Sequence, residues 1–517
     1  MCILCDQGKP QNHSRSQLGR RDFLKASSAA AAGAAGMGLF AAPPVRANHE
    51  DDLPHDTGRR GRRYVIRGGH VMSMDPAVGD FVEGDVLVEG KEIAAVGKDL
   101  DLRGAARIDA RGKIVMPGFV DTHHHLFETA LRSFLADGLL FDDLDPSITN
   151  NYFQKILLGF APKYRPEDVY ISELFGSLSS LDAGVTTVHD ISQIHHSPEH
   201  SDAAIAALMK SDRRAVFGYF ESAGNVAGNE YPTDATRIKN QYFTSTDQLL
   251  TMFMGGEIYL PGYETAWQIG RDLGIPIAAH IVGTFGMRPE FDAIANGQRA
   301  VGFGSDNLFI HMTGMSDEAW QRAHDAGAGV SLSVPIEMNM RHGTPPILKA
   351  IDLDFQPSLS TDVEVTLTAD MFTQMRTAMA LQRMFMNGRA LGEPLFAGLP
   401  SQKLLTVRDV LRWATIHGAR DLKLDSKIGT LTPHKEADIV ILDPDVINVA
   451  PLNHVPGAVV SLMERNSVET VIVAGKVRKW KGKLLEVGLP GLRNQLENSR
   501  DYLFAEAGIP KNLFRAS

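Results

Sequence analysis

Between residues 117 and 424, short apolar runs alternate with longer stretches in which apolar residues return every three or four positions. The short runs are "GVTTVHDIS", "RAVFGYF", "LLTMFMG", "IPIAAHIVG", "NLFIHMTG", "GVSLSVP" and "PSLSTDV", and "VMPGFVDTHHH" precedes them. These are eight candidate strands. The longer stretches include "YETAWQIGRDLG", "SDEAWQRAHDAG" and "DMFTQMRTAMALQRMFMNG", whose spacing predicts helices. Strands that are apolar throughout belong in a parallel sheet covered on both faces. Repeated strand–helix units of this kind predict an α/β protein, most simply a (β/α)8 TIM-like barrel. A doubly wound open sheet is the competing arrangement.

The flanks have another rhythm. Short β-type runs bounded by turn residues, "RYVIRGGHVMSM", "GDVLVEGKEIAAVG" and "ARIDARGKIVMPG", precede the barrel. Similar runs, "EADIVILDPD" and "VETVIVAGKVRKWKGKLL", follow it. The economical reading is one small β-sandwich domain built from both chain ends, residues 61–116 plus 425–485, with the barrel of 117–424 inserted. Residues 48–60 are polar and predict a flexible linker. The tail, 486–517, contains "LRNQLENSRDYLFAEAG" and predicts one closing helix. The polar segment Ser222–Gln248 predicts a rim loop, the kind of segment that usually sets specificity.

Length and charge narrow the function. The chain has 517 residues and a formal net charge of −10, with no basic block, so a nucleic-acid partner is not expected. Its two cysteines, Cys2 and Cys5, sit at the extreme N-terminus, so thiolates neither staple the fold nor supply ligands within it. Residues 1–47 read as a twin-arginine signal peptide. Arg20 and Arg21 precede Phe23-Leu24-Lys25, an Ala/Gly-rich run follows, and Val45-Arg46-Ala47 fits a cleavage site. The run Ala26–Ala42 is too short and too weakly apolar to span a bilayer. The expectation is export to the periplasm or beyond, with no stable membrane span once the leader is removed. Gly19 stands where Ser or Thr is usual.

The candidate chemistry lies at the strand ends. In a strand, His123 and His125 point one way and His124 the other, so an H-x-H pair can clamp one ion. His280, His311 and Asp362 each end a different apolar run. The C-terminal rim is where (β/α)8 enzymes keep their reacting groups. Imidazoles with one carboxylate suit Zn²⁺ or Fe²⁺ and do not suit Ca²⁺ or Mg²⁺.

The segments "PGFVDTHHH", "LDAGVTTVHD", "IPIAAH", "LFIHMTGMSDEAW", "SLSTD" and "IGTLTPHKEADIVILD" run in order over nearly all of residues 61–485. In them the chain resembles the amidohydrolase superfamily, in its cytosine deaminase and triazine hydrolase-like branch. The resemblance implies that His123, His125, His280 and Asp362 hold one divalent ion, zinc ahead of iron. It implies that His311 and Asp362 are catalytic, His311 acting on the attacking water and Asp362 moving its proton. Many relatives hold a second metal on a lysine after strand 4, and "LLTMFMGGE" has none. Two departures stand out. Gly283, followed by Thr284, occupies the place of a proton-shuttling Glu, and Ser333 replaces a strand-7 histidine, with Glu337 nearby. They weaken nucleobase deamination and leave hydrolysis of a non-peptide C–N bond (amide, carbamate, urea or similar) in a small molecule as the expected activity. A heterocycle aminohydrolase and a non-catalytic metal-binding protein are the alternatives. His189 and Glu337 are candidate substrate-binding residues. Relatives often form dimers or larger assemblies, so a homo-oligomer is compatible with the resemblance.

Overall fold

The computed structural model describes residues 53–141, 150–224, 230–390, 403–511 and 513–514. The leader assigned to residues 1–47 and the start of the linker, 48–52, lie outside the described residues.

Five strands precede the barrel: β1 (Arg63–Met72), β2 (Asp80–Glu89), β3 (Glu92–Gly97), β4 (Ala106–Asp109) and β5 (Ile114–Pro117). The barrel strands are β6 (Phe119–His124), β7 (Val185–Ser192), β8 (Arg214–Tyr219), β9 (Leu250–Met254), β10 (Ile277–Val282), β11 (Asn307–Thr313), β12 (Gly329–Leu332) and β13 (Ser358–Leu359). Four more follow: β14 (Ile439–Leu442), β15 (Val468–Val473), β16 (Lys476–Trp480) and β17 (Lys483–Leu484).

β6 to β13 form one eight-stranded sheet in sequence order, each neighbour parallel. All eight fall on the apolar runs named above. The ring closes between the first and last strands. Asp362 N–H donates to His123 O at 2.9 Å, and His125 N–H donates to Asp362 O at 3.0 Å. The seam of the barrel thus joins three of the expected metal ligands through their backbones. The interior is apolar at the other end, where Val120, Val216, Ala278, Leu308 and Ile310 pack with Ala419, Leu422, Leu424 and Ile428. That packing closes the floor and leaves the C-terminal rim as the open end.

The flanking strands form one nine-stranded mixed sheet, ordered β17-β16-β15-β14-β5-β1-β2-β3 with β4 beside β1. β5 and β14 pair antiparallel, so the two chain ends meet in this sheet as expected. Alternation in β14 shows both of its neighbours. Ile439 and Ile441 enter the sheet's own core, whereas Val440 and Leu442 join the large core around the barrel. A buried ion pair also bridges the two parts. Arg214 on β8 donates to Glu436 at 2.5 Å and to Asp438 at 2.9 Å.

Two expectations are corrected. From Leu53 onward the linker is packed: Leu53 lies against the core of the mixed sheet, and Val477 N–H donates to Thr57 Oγ1 at 3.1 Å. One apolar side chain and one hydroxyl acceptor suffice to dock it. Ser222–Gln248, expected as a loop, contains the helix Ala235–Tyr242, because Ala235 and Ile238 lie one turn apart and are buried together. Helices Tyr263–Asp272, Asp317–Asp325, Met371–Ala390 and Leu489–Glu506 match their sequence patterns. Among the described residues no helix is long and apolar enough to cross a membrane.

Candidate metal centre and its cleft

Two backbone irregularities aim the site. Between Asp121 and His124, β6 spends one more residue than its partner β7, a bulge. Val120 faces the barrel interior, so strict alternation would send His123 outward with Phe119. The bulge reverses the parity, and His123 and His125 turn inward together. A second bulge lies in β11, where His311 and Met312 have φ of 69° and 51°. It turns His311 to the same side as Ile310. Asp362 also has a positive φ, 64°. Each such non-glycine residue costs about 1–2 kcal/mol, and strain of this kind concentrates where a side chain must be aimed.

The aimed side chains converge. His123 Nε2 lies 2.9 Å from His125 Nε2 and 3.1 Å from His280 Nε2. Asp362 Oδ1 lies 3.4 Å from the His123 nitrogen and 3.6 Å from that of His125. Ligands held ~2.0–2.1 Å from a tetrahedral ion are separated by about 3.3 Å, so the spacings among His123, His125 and Asp362 fit one ion, and His280 adjoins that group through His123. The tautomers fit as well. His280 donates its Nδ1–H to Glu257 Oε1 at 2.5 Å, which leaves the Nε2 lone pair facing the centre. Ser333 Oγ lies 3.3 Å from His123 Nδ1 and is tied through Ser360, Ser331 and Thr122 into a hydroxyl chain beneath the histidines. Lone pairs crowded this closely repel one another until a cation stands between them.

The electrostatics agree. Burial, reinforced by neighbouring histidines, holds His123, His125 and His311 well below the usual imidazole range, so they are neutral and able to ligate. Burial also opposes a charge on His280, but the Glu257 carboxylate outweighs it and raises that imidazole. Burial pushes the Asp362 carboxyl up to about 7 against the pull of His280 and His124, and a bound cation would draw it back down.

His311 stands beside this cage. It donates Nδ1–H to Glu337 Oε1 at 3.1 Å and turns Nε2 toward Asp362 Oδ2 at 3.5 Å. His124 faces the other way, with Nδ1 3.3 Å from Asp121. The two candidate substrate-binding residues lie elsewhere. His189 is buried in the barrel interior between Phe220 and Phe253, its Nδ1 3.0 Å from Thr122 O, and does not line the cleft. Glu337 is also fully buried, behind His311, and accepts Ser333 N–H at 2.9 Å. It orients His311 and does not line the cleft.

The cleft above the cage measures about 550 Å³, counting its open mouth. Its wall is apolar and aromatic: Leu140, Phe153, Leu157, Phe285, Met287 and Met340 surround the approach. Among the described residues, the rim segment Ser222–Gln248 does not line it. Two residues that the sequence reading did not single out belong to the site. Glu257, in "MGGE", was legible as an acid directly after a barrel strand. His342 was not, because it lies in a loop beyond β12 without periodic pattern.

A closed eight-stranded barrel with this cage at its C-terminal rim defines a metal-dependent hydrolase acting on carbon–nitrogen bonds. The chain belongs to the amidohydrolase family, whose sequence profile matches residues 114–478. It is similar to the 5'-deoxyadenosine deaminase of Methanosarcina mazei, 26% identical over 426 residues, covering 80% of this chain and 92% of that one. A 5-methylthioadenosine/S-adenosylhomocysteine deaminase of Desulfitobacterium hafniense is 24% identical over 440 residues, covering 81% and 93%. Among solved structures, a zinc-bound adenosine deaminase from Xanthomonas campestris superposes with a TM-score of 0.72 at 21% identity, covering 86% of this chain and all of that one. The zinc complex of atrazine chlorohydrolase from Arthrobacter aurescens gives 0.68 at 20%, covering 85% and 100%. The last two establish the shared fold.

Proposed function

We propose that this protein hydrolyses a non-peptide C–N bond (amide, carbamate, urea or similar) in an uncharged, largely apolar small molecule, with one zinc ion held by His123, His125, His280 and Asp362. The observation that carries the reading is His123 Nε2 at the hub of the cage, 2.9 Å from His125 Nε2, 3.1 Å from His280 Nε2 and 3.4 Å from Asp362 Oδ1, beneath an apolar cleft. Held by these residues, a divalent ion would supply Lewis-acid chemistry, bringing the pKa of water to about 7 and polarising the bond to be attacked.

The chain's own residues do the rest. Asp362 Oδ2 and His311 Nε2 are both acceptors, 3.5 Å apart, and a water between them is oriented by both. Glu337 fixes the tautomer that keeps the His311 lone pair on that side. Asp362 takes the water proton as the C–O bond forms and passes it toward the leaving nitrogen as the C–N bond breaks. The aromatic wall holds the apolar part of the substrate and excludes solvent.

A second reading, hydrolytic deamination of a heterocycle, is favoured by the activities of the Methanosarcina mazei and Desulfitobacterium hafniense deaminases. Against it, Gly283 has no room for the missing acid: a Cβ there would lie 2.7 Å from Thr313 O and 2.9 Å from Gly314 Cα. The leader pattern supports a further part of the proposal, export by the twin-arginine route. Loss of the periplasmic fraction in an Arg20→Lys/Arg21→Lys variant tests that part.

The test of the activity joins metal content with turnover. About one zinc per chain, lost in His123→Ala and kept in His124→Ala, with hydrolysis of neutral aryl amides, carbamates or ureas, is the expected result. A metal-loaded protein that releases ammonia from aminopurines and leaves those bonds intact would favour deamination.

A further inference from the structure

We propose that His342 is a catalytic residue that contacts the leaving nitrogen and carries the water-derived proton to it, taking the place of the acid missing at position 283. The inference rests on the hydrolytic reading above and deepens it.

The observations are local and independent of one another. His342 is 4% exposed and lines the cleft beside His280, His311 and Asp362. Neither of its ring nitrogens has a hydrogen-bond partner. A buried imidazole with two unmet polar atoms is costly unless something else satisfies it. One of its nitrogens lies within 4.8 Å of both a His311 nitrogen and an Asp362 oxygen, and its ring stands edge-on to that of His311 at 4.6 Å.

The loop bearing His342 is seated on the segment where the family's acid would stand. Thr284 Oγ1 donates to Arg341 O at 2.8 Å, and Thr313 Oγ1 donates to His342 O at 2.6 Å. His342 N–H in turn donates to Glu337 O at 3.1 Å. Gly343, with φ of 116°, lets the chain turn away at once. Gly283 takes part by having no side chain, since β10 approaches Thr313 and Gly314 too closely for a Cβ. The same packing that removes a glutamate from position 283 holds an imidazole over the cage from another loop.

The other polar lining groups suit the task less well. The Tyr152 hydroxyl is committed to Glu128 at 2.5 Å, Gln193 is an amide with no proton to relay, and burial with the nearby Glu257 and Glu221 carboxylates holds the Tyr259 phenol well above its usual range. A neutral imidazole has a lone pair on one nitrogen and a proton on the other. Burial lowers the His342 imidazole to about 3, so it relays without resting as imidazolium: one nitrogen accepts the proton that Asp362 took from water while the other gives up its own. That second proton goes to the leaving nitrogen as the C–N electron pair departs with it, and the ring ends neutral as the other tautomer. The balance is one water consumed, one acid and one amine formed, with no other reactant.

The experiment compares two leaving groups on one acyl arm. Probes are phenylacetanilide and the 4-nitrophenyl ester of phenylacetic acid, with a panel of aryl ureas and carbamates as further C–N substrates. An aniline needs a proton to leave, and 4-nitrophenolate does not. His342→Ala and His342→Gln are expected to lower kcat on the C–N substrates by about 10²–10⁴-fold and on the ester by less than ~5-fold. Zinc content and Tm should stay at wild-type values. Equal losses on both leaving groups would mean a structural role and overturn the proposal, as would an undiminished rate on the C–N substrates. A zinc-loaded wild type that cleaves none of the C–N probes would bring down the hydrolytic reading and this proposal with it. An active wild type with indifferent variants would bring down this proposal alone.

Discussion

Glu257 offers the sharpest test of how the cage is held. Its carboxylate accepts the Nδ1–H of His280 at 2.5 Å, and the residue is fully buried. Its backbone N–H donates to Glu221 Oε1 at 2.7 Å. In Glu257→Gln an amide oxygen can still accept from Nδ1–H, so the ring orientation and tautomer survive but the charge that makes Nε2 more basic is lost. In Glu257→Ala the acceptor goes as well. Outer partners of metal-bound histidines are worth about 10–100-fold in affinity. The expectation is therefore ~10-fold weaker zinc binding for the glutamine variant and ~100-fold for alanine, or about 1.4 and 2.7 kcal/mol. Glu257→Gln also removes one partner of the buried His280–Glu257 pair, so the apo glutamine variant should melt below apo wild type. The measurement is a zinc titration of apo protein against a chromophoric chelator, with apo melting curves alongside. Zinc affinities within about 2-fold of wild type for both variants would refute the reasoning and return Glu257 to a packing role.

Two further predictions use groups outside the cage. Gly283→Ala places a Cβ against two backbone atoms that cannot swing aside, so it should cost about 1–3 kcal/mol in denaturant unfolding, and a neutral result would deny the close approach. His195 is buried, donates Nε2–H to Ser192 O at 2.8 Å and accepts from Ser201 Oγ at 2.9 Å, a neutral arrangement. Burial lowers its pKa from 6.5 to about 3, so the unfolded chain binds the extra proton between those values. The stability tied to the neutral ring is complete above pH 6.5 and is lost as pH falls toward 3. At pH 5 the loss is about 2 kcal/mol, 1.36 for each unit below the unfolded value. His195→Asn should flatten the decline in unfolding free energy between pH 7 and 5 by that amount. An unchanged slope would show that His195 is not the group responsible.

What the sequence determined on its own was the periodicity and the chemical types. Eight apolar runs, each too short for a helix and buried on both faces, called for a parallel sheet, most simply a barrel, because such strands have no stable place with one face in water. The alternating runs at both ends fixed a second sheet. The ligand types were legible because a histidine or aspartate at the end of an apolar strand carries a cost that needs a reason. That His123 and His125 face together, apart from His124, followed from the two-residue period alone.

Which way they face was decided only by the tertiary structure. Alternation counted from Val120 or from Ile310 sends His123 and His311 out of the barrel, and two bulges bring them in. Bulges leave no local signature here, since the strain at His311 and Asp362 is sustained by the packed strands around them and not by glycine at those positions. The outer partners were hidden for a related reason. Glu257, Ser333 and His342 lie on loops or at element ends and Glu337 in the short helix Val334–Asn339, each far along the chain from the imidazole it meets, so each gains its role only once the barrel closes. Ser222–Gln248 shows the converse. Its polar composition suggested the substrate rim, but among the described residues the wall of the cleft is built around Leu140, Phe153, Phe285 and Met340, because apolar side chains from four separate segments reach the same opening. Periodicity is a property of neighbours along the chain, whereas a site is a property of neighbours in space. The sequence sets the first, and chain closure with its strained turns sets the second.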